Sequence, residues 1–190
     1  MRETRGSENP TALESLMGLD DDALSTLWGF TRNLTQARGL NAVAQLIARA
    51  VLEVSRAKSV RVMLLDEAIL ETVSVANQPG VSSVLGSGLG FETFKPTPDY
   101  ARSLERKEVA ALGVDRQLVP LIARDKAIGL LELLGASEIG RVALYATPAA
   151  LALEGARLSA ERLRAMRESK AIAEFSRAIG ETLSLEAVLK

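Results

Sequence analysis

The chain contains neither cysteine nor histidine. No disulfide can form, thiolate and imidazole metal ligands are missing, and no Ser-His or Cys-His nucleophile pair can be assembled within it. A thioether-linked chromophore and a haem with a His or Cys axial ligand are excluded on the same ground. Phe, Tyr and Trp together make up 4% of the residues, too few for a platform on which bases stack. The formal net charge of −1 provides no basic face for nucleic acid. No apolar run reaches the roughly 18–20 residues of a membrane span. The opening MRETRGSENP has no apolar signal core, so a cytoplasmic start is expected.

What is present is apolar surface. Hydrophobic residues amount to 47% of 190, enough to build one core of ordinary size with an extension. The stretch Gln117–Gly135 organises it. Two apolar runs, Leu118–Ala123 and Ala127–Leu134, flank the charged tip Arg124-Asp125-Lys126. This pattern predicts a tight β-hairpin, and the lack of clean alternation predicts a sheet covered on both faces. Gly129 predicts a bulge or a close backbone approach. Pro120, without an N–H, must sit where no ladder partner is needed.

In chain order, residues 1–19 read as a polar, flexible tail. Asp20, Asp21 and Asp22 open an amphipathic helix to about Ala37, where three carboxylates complement the positive end of the dipole. Leu24, Leu27, Trp28, Thr31 and Leu34 recur along it at helical spacing. After Gly39, a second helix from Leu40 to about Ala57 carries the stripe Leu40, Val43, Leu46, Ile47, Ala50, Val51, Val54. Ser59–Asp66 and Ile69–Ala76 predict an antiparallel pair turning at Asp66-Glu67 and closed by Asn77-Gln78-Pro79-Gly80. Val81–Val114 is the least regular part, with one or two short strands, a short helix near Tyr100–Lys107 and a loop expected. Ser137–Tyr145 reads as a short helix. Thr147-Pro148 then begins another, Thr as N-cap and Pro in the first turn, running about 33 residues, or about 50 Å at 1.5 Å per residue, to about Gly180.

The last residues repeat the first helices. Phe175-Ser176-Arg177-Ala178-Ile179 matches Phe30-Thr31-Arg32-Asn33-Leu34, and at the same offset Leu185-Glu186-Ala187-Val188 matches Leu40-Asn41-Ala42-Val43. Self-similarity that keeps the spacing across a helix break predicts the start of a second copy of the module. The chain then divides into a tail (1–19), a domain (20–165) and a linker helix leading into that copy (166–190), as a fragment of a longer tandem protein.

Three stretches carry a resemblance to GAF domains. Val119-Pro120-Leu121-Ile122 with Ala127-Ile128-Gly129-Leu130-Leu131-Glu132-Leu133 resembles the family's late hairpin. Ala152-Leu153-Glu154-Gly155-Ala156-Arg157-Leu158 is similar to its exit helix. Leu40–Val54 followed by Ser59–Asp66 resembles its lead-in helix and first strand. Gly155 stands where the family commonly has Asn, and Arg124-Asp125-Lys126 replaces a glycine-bearing tip. The resemblance implies an α+β fold: a six-stranded antiparallel GAF/PAS-like sheet, lead-in and exit helices on one face, pocket loops on the other, and a long C-terminal signalling helix.

It also implies a regulatory sensor of a cytoplasmic signal-transduction protein, not an enzyme, with a small-molecule pocket. The expected pocket residues are Met63, Val73, Phe91, Phe94, Tyr100, Leu118 and Glu132. Glu132, set among leucines, either points into the pocket or pairs with Arg61. The cyclic-nucleotide pattern of the family is not found. A covalent bilin needs Cys and a family haem needs His, so the cofactor stays unnamed. A homodimer is expected through Leu27, Leu151, Leu158 and Met166, the last three part of an interrupted heptad-like seam with Ile172, Phe175 and Ile179. No nucleic-acid or membrane partner is implied. A filled pocket would instead make the domain a dimerising relay. Gly86-Ser87-Gly88-Leu89-Gly90 lacks the Lys-Ser/Thr of a phosphate loop, and Asp20–Asp22 reads as a helix cap rather than a metal site.

Overall fold

The computed structural model describes residues 21–81 and 92–188. The tail, Asp20, Phe91 and the Gly86–Gly90 run lie outside the described residues. Two helices come first, α1 (Asp21–Gln36) and α2 (Leu40–Ser55). Then follow β1 (Ser59–Asp66), β2 (Ile69–Asn77), β3 (Thr93–Phe94), α3 (Pro98–Arg106), β4 (Ala110–Leu112), β5 (Arg116–Ala123), β6 (Lys126–Leu134) and α4 (Ile139–Val188). The strands form one antiparallel six-stranded sheet in the order β3-β2-β1-β6-β5-β4.

The two central strands, β1 and β6, pair from Ser59↔Leu134 to Leu64↔Gly129. Beyond Gly129 the β5–β6 register shifts: Leu121 faces Gly129, Ile122 faces Ala127, and Ile128 is the extra residue. Gly129 is required there, because a Cβ would stand 2.1 Å from the Met63 carbonyl oxygen. The β5–β6 tip is two residues, Arg124 and Asp125, with φ of 48° and 62°. This left-handed pair gives the twist of a tight hairpin without the glycine such turns usually hold. The Lys107 ammonium donates to the Asp125 carbonyl and ties α3's end to the tip. Pro120 pairs with Leu130 on one side, while β4 reaches only as far as Leu118 on the other. Its missing N–H therefore falls where no described strand would accept it.

The sheet is covered on both faces, as the apolar runs predict. One face is packed by α1, α2 and α4, which bury Phe30, Ile47, Val51, Tyr145, Ala149 and Leu153 against Val62, Leu121, Leu131 and Leu133. The Phe30 and Tyr145 rings meet at 4.9 Å. The other face carries a smaller core of Met63, Leu70, Tyr100, Leu104, Leu118 and Leu130.

Four expectations change at the helices. In α1 the buried side runs through Leu27, Phe30 and Leu34, not Leu24 and Trp28, which are exposed. The helix is apolar on two sides, and among the described residues only the side that meets Tyr145 has a partner. In α2 the buried centre runs through Val43, Ala44, Ile47, Ala48 and Val51, with Leu46, Ala50 and Val54 along its margin. The separate helices expected at Ser137–Tyr145 and from Thr147 are one helix, with Pro148 inside it. Proline removes one hydrogen bond and strains the turn before it. Here Val142, Tyr145 and Ala146 before it and Ala149, Ala150 and Leu153 after it are buried in the same core, so tertiary packing holds the axis through the proline. The helix also continues through Gly180 to Val188, so the break that the repeat would place near Ser184 is absent among the described residues. From Ser159 onward the described side chains are exposed.

Candidate functional site

The candidate site forms on the face away from the long helices. Thr97 stands at the N-cap position of α3 and Pro98 opens its first turn. The helix then buries Tyr100, Ser103 and Leu104, one side at i, i+3, i+4, against the sheet. Ser103 Oγ donates to the Glu108 carbonyl at 2.7 Å and fixes the exit from the helix. Between α3, β3 and the β4–β5 connection lies a cavity of about 530 Å³, lined by Arg61, Phe94, Thr97, Asp99, Tyr100, Ala111, Leu112, Gly113 and Arg116. The Phe94 and Tyr100 rings meet edge to face at 5.6 Å and form an aromatic wall.

Beneath it sits an ion cluster made by strand register. Arg61 lies opposite Glu132 on β1 and β6, and Leu118 lies opposite Glu132 on β5 and β6. Side chains two residues apart on a strand share a face, so Arg116, two before Leu118, joins them. Glu132 is fully buried. Its Oε1 lies 2.9 Å from Arg116 Nη2 and its Oε2 lies 3.7 Å from Arg61 Nη1. Arg61 Nη2 is 3.7 Å from Oε2 of Glu92, an outer and mostly exposed residue held against β2 by the Thr72 amide, which donates to the Glu92 carbonyl at 2.9 Å. The charges pair, but the hydrogen bonding is incomplete. Among the described residues, neither Glu132 oxygen nor Arg61 Nε, all buried, has a well-aligned hydrogen-bond partner. Tyr100 feels the same cluster. Burial, then the negative charge of Glu132 and its demand for a proton donor, push the phenol up to about 12 against the opposing pull of Arg116 and Arg61.

The expected pocket residues divide. Phe94 and Tyr100 line the open cavity. Met63 and Leu118 are fully buried in the packed core below it, and Glu132 lies in the floor behind the two arginines. Val73 lies in the helix-side core rather than at the cavity. Thr72 faces Met63 on the cavity side, so Val73, the next residue, turns to the helix side by strand alternation, and a bulge follows at which Val62 faces Ser74. Phe91 lies outside the described residues. Arg61 is paired with Glu132, one of the two alternatives expected for that carboxylate. Arg116 is not among the expected residues, and its signal is its place two residues before Leu118 on a strand whose pairing the sequence does not print. Among the described residues no group of three or more acidic ligands could hold a metal ion, and no helix is long and apolar enough to cross a membrane.

No protein-family model and no curated protein matches the chain in sequence. Solved structures do match it in fold. The GAF domain of a phosphoenolpyruvate-protein phosphotransferase (ptsP) from Coxiella burnetii is 16% identical with a TM-score of 0.57, over 80% of this chain and 99% of that one. The corresponding Acinetobacter domain is 15% identical with a TM-score of 0.54, over 74% and 97%. The GAF domain of the potassium sensor histidine kinase KdpD from Escherichia coli is 18% identical with a TM-score of 0.52, over 74% and 99%. With the strand order β3-β2-β1-β6-β5-β4, the three long helices on one face and the α3-covered cavity on the other, the fold of this chain is the GAF fold.

Proposed function

We propose that the chain is a regulatory sensor module of a cytoplasmic signalling protein, one that takes a small molecule on the α3 side of the sheet and passes its presence to α4. The observation that carries this reading is the cavity of about 530 Å³ with two arginines and two aromatic rings in its wall. That size lies within the range of ordinary small-molecule sites. Neighbours in fold include domains of a sensor histidine kinase and of a methyl-accepting chemotaxis protein, which supports a sensing rather than a catalytic role. A ligand can shift α4 only through unequal affinity for two arrangements of the domain. β5 is the natural relay: it contributes Arg116 to the cavity and Val119 and Leu121 to the core shared with α4. A thermal-shift screen of the purified chain against nucleotides, amino acids, oxo-acids and flavins tests the reading, because a ligand bound only by the folded state raises its melting temperature. A dose-dependent shift lost in Phe94→Ala supports it, and silence across the panel counts against it.

A second reading, a dimeric relay, rests on the exposed part of α4. Leu151, Leu158, Ala165, Ile172 and Ile179 recur every seven residues along it, and Leu151, Ile172 and Ile179 are exposed large apolar side chains. Met166 and Phe175 stand exposed beside this column. An apolar heptad column on a helix needs a partner surface. A second copy in parallel would supply it, with the exposed Leu24 and Trp28 of α1 extending the interface. Leu27, expected in that interface, is instead half-buried against its own core. The repeat at the C-terminus would then carry the helix into a further GAF-like module.

A further inference from the structure

The polar floor of the cavity turns guanidiniums toward the open space and, among the described residues, leaves a buried donor unsatisfied. Arg61 and Arg116 both line the cavity, whereas Glu132, the only fully buried carboxylate among the described residues, lies behind them and does not. With Glu92, 3.7 Å from Arg61, the four groups balance in charge, but the two of them that meet the open space are both guanidiniums. Glu92, the other carboxylate near Arg61, is more than half exposed. Asp99, on the rim, is engaged with Arg102 at 3.6 Å.

Arg61 is the decisive residue. Its side chain is 9% exposed, and both of its carboxylate contacts are 3.7 Å, beyond hydrogen-bond length. Its Nε is buried with no hydrogen-bond partner among the described residues. A guanidinium offers five donors in a rigid planar fork that matches two oxygens of one anion. Here the fork lies at a cavity wall with its Nε donor unfilled among the described residues. Arg116 is held from one side by Glu132 Oε1 and is 42% exposed on the other. The Phe94 and Tyr100 rings line the same cavity, with Ala111 and Leu112.

Resting on the sensor reading above, we propose that the cavity binds a small organic anion, a carboxylate or a phosphate monoester on a flat or apolar body, with its oxygens on Arg61 and Arg116 and its body on the Phe94–Tyr100 wall. A cationic ligand meets two guanidiniums before it reaches Glu132. A neutral one can accept a hydrogen bond from Arg61 but supplies neither the negative charge nor the paired oxygens that match the fork. Glu132 competes with the anion for the same guanidiniums, so it sets the affinity: strong enough to keep the empty site folded, weak enough to yield.

The test uses probes built on one phenyl ring in three charge classes, benzoate and phenyl phosphate against benzyl alcohol, benzamide and benzylammonium, read by thermal shift and by titration calorimetry on the whole chain. The expected result is binding of either anion and of no neutral or cationic probe. Benzoate against phenyl phosphate then separates the carboxylate and phosphate sources. Glu132→Gln removes the competitor and is expected to tighten anion binding by about tenfold, where a cation held by Glu132 would be lost instead. Arg61→Gln and Arg116→Gln are expected to abolish the anion response. Should Arg61→Gln fail to give a native circular dichroism spectrum, Arg116→Gln, on a half-exposed side chain, decides the matter. Binding of the neutral or cationic probes alone overturns the anion assignment and leaves the sensor reading standing. Anion binding that survives both arginine substitutions places the anion elsewhere and overturns the assignment. Silence from every probe, in wild type and Glu132→Gln alike, overturns the anion assignment, while the sensor reading then stands or falls with the wider screen.

Discussion

At the scale of single residues, two positions show how much depends on contacts that cross the sheet. Gly129 gives its neighbour room: a methyl group at its Cα would enter the Met63 carbonyl, a backbone atom that cannot rotate away. Gly129→Ala is therefore expected to cost on the order of 3 kcal/mol, the upper end for an overpacked core, measured as a lower midpoint in urea at unchanged slope. The sequence already points to this glycine, because an isolated glycine in an apolar strand needs a reason. Tyr100 is the second. Its phenol is raised to about 12, so the folded state holds the proton more tightly than the unfolded chain does. That stability is fully present below about pH 10 and is lost as pH rises from about 10 through about 12. Tyr145 is also raised, by burial first and then by Glu53, against the pull of Arg141. The chain has two tyrosines, so absorbance at the phenolate band is expected to show no transition of ordinary value until the protein unfolds. Tyr100→Phe is expected to flatten the alkaline loss of stability, and Glu132→Gln to lower the Tyr100 transition while burial keeps it above the ordinary value.

At the scale of elements, the chain's local patterns and its tertiary packing are legible to different degrees. β1 and both arms of the central hairpin follow from apolar runs bounded by turn chemistry, and they appear within a residue or two of the expected limits. The short helix near Tyr100 appears as Pro98–Arg106. Periodicity cannot say which side of a two-sided helix will find a partner, and so Trp28, inward by its spacing, stands outward. Nor can it say that packing on both flanks of Pro148 overrides the break. The ion cluster is half legible. Glu132 among leucines demands a partner and Arg61 is a candidate on a neighbouring strand, but Arg116 joins only through strand order, which no local pattern encodes. Gly155 yields a prediction at this scale. It is exposed in mid-helix, and no neighbouring heavy atom lies within 4 Å of where an alanine Cβ would stand. Gly155→Ala is expected to raise stability by roughly 0.5–1 kcal/mol, seen as a higher melting temperature.

At the scale of the whole molecule, the question is what covers the apolar residues that face outward. Leu151→Glu with Leu158→Glu is expected to weaken self-association, read by sedimentation velocity across a range of concentrations; an unchanged dimer in the double variant would sink the α4 interface. Trp28 provides an independent reading, since it is the chain's one tryptophan and is 73% exposed. If copies associate through α1, its fluorescence is expected to move to shorter wavelength as concentration rises, whereas a constant spectrum across the dimer transition would place the interface elsewhere.

The 50-residue α4 has its first part seated on the sheet, and from Ser159 onward its described side chains lie outside any core. At 1.5 Å per residue the outer part, to Val188, is about 45 Å long. It is a lever with its fulcrum beside β5. A tilt of about 5° at that fulcrum, well under 1 Å of sliding for the side chains near it, sweeps the far end by about 4 Å over this length. On the sensor reading proposed above, small adjustments around one cavity would thereby become a displacement the size of a side chain, far from where they begin.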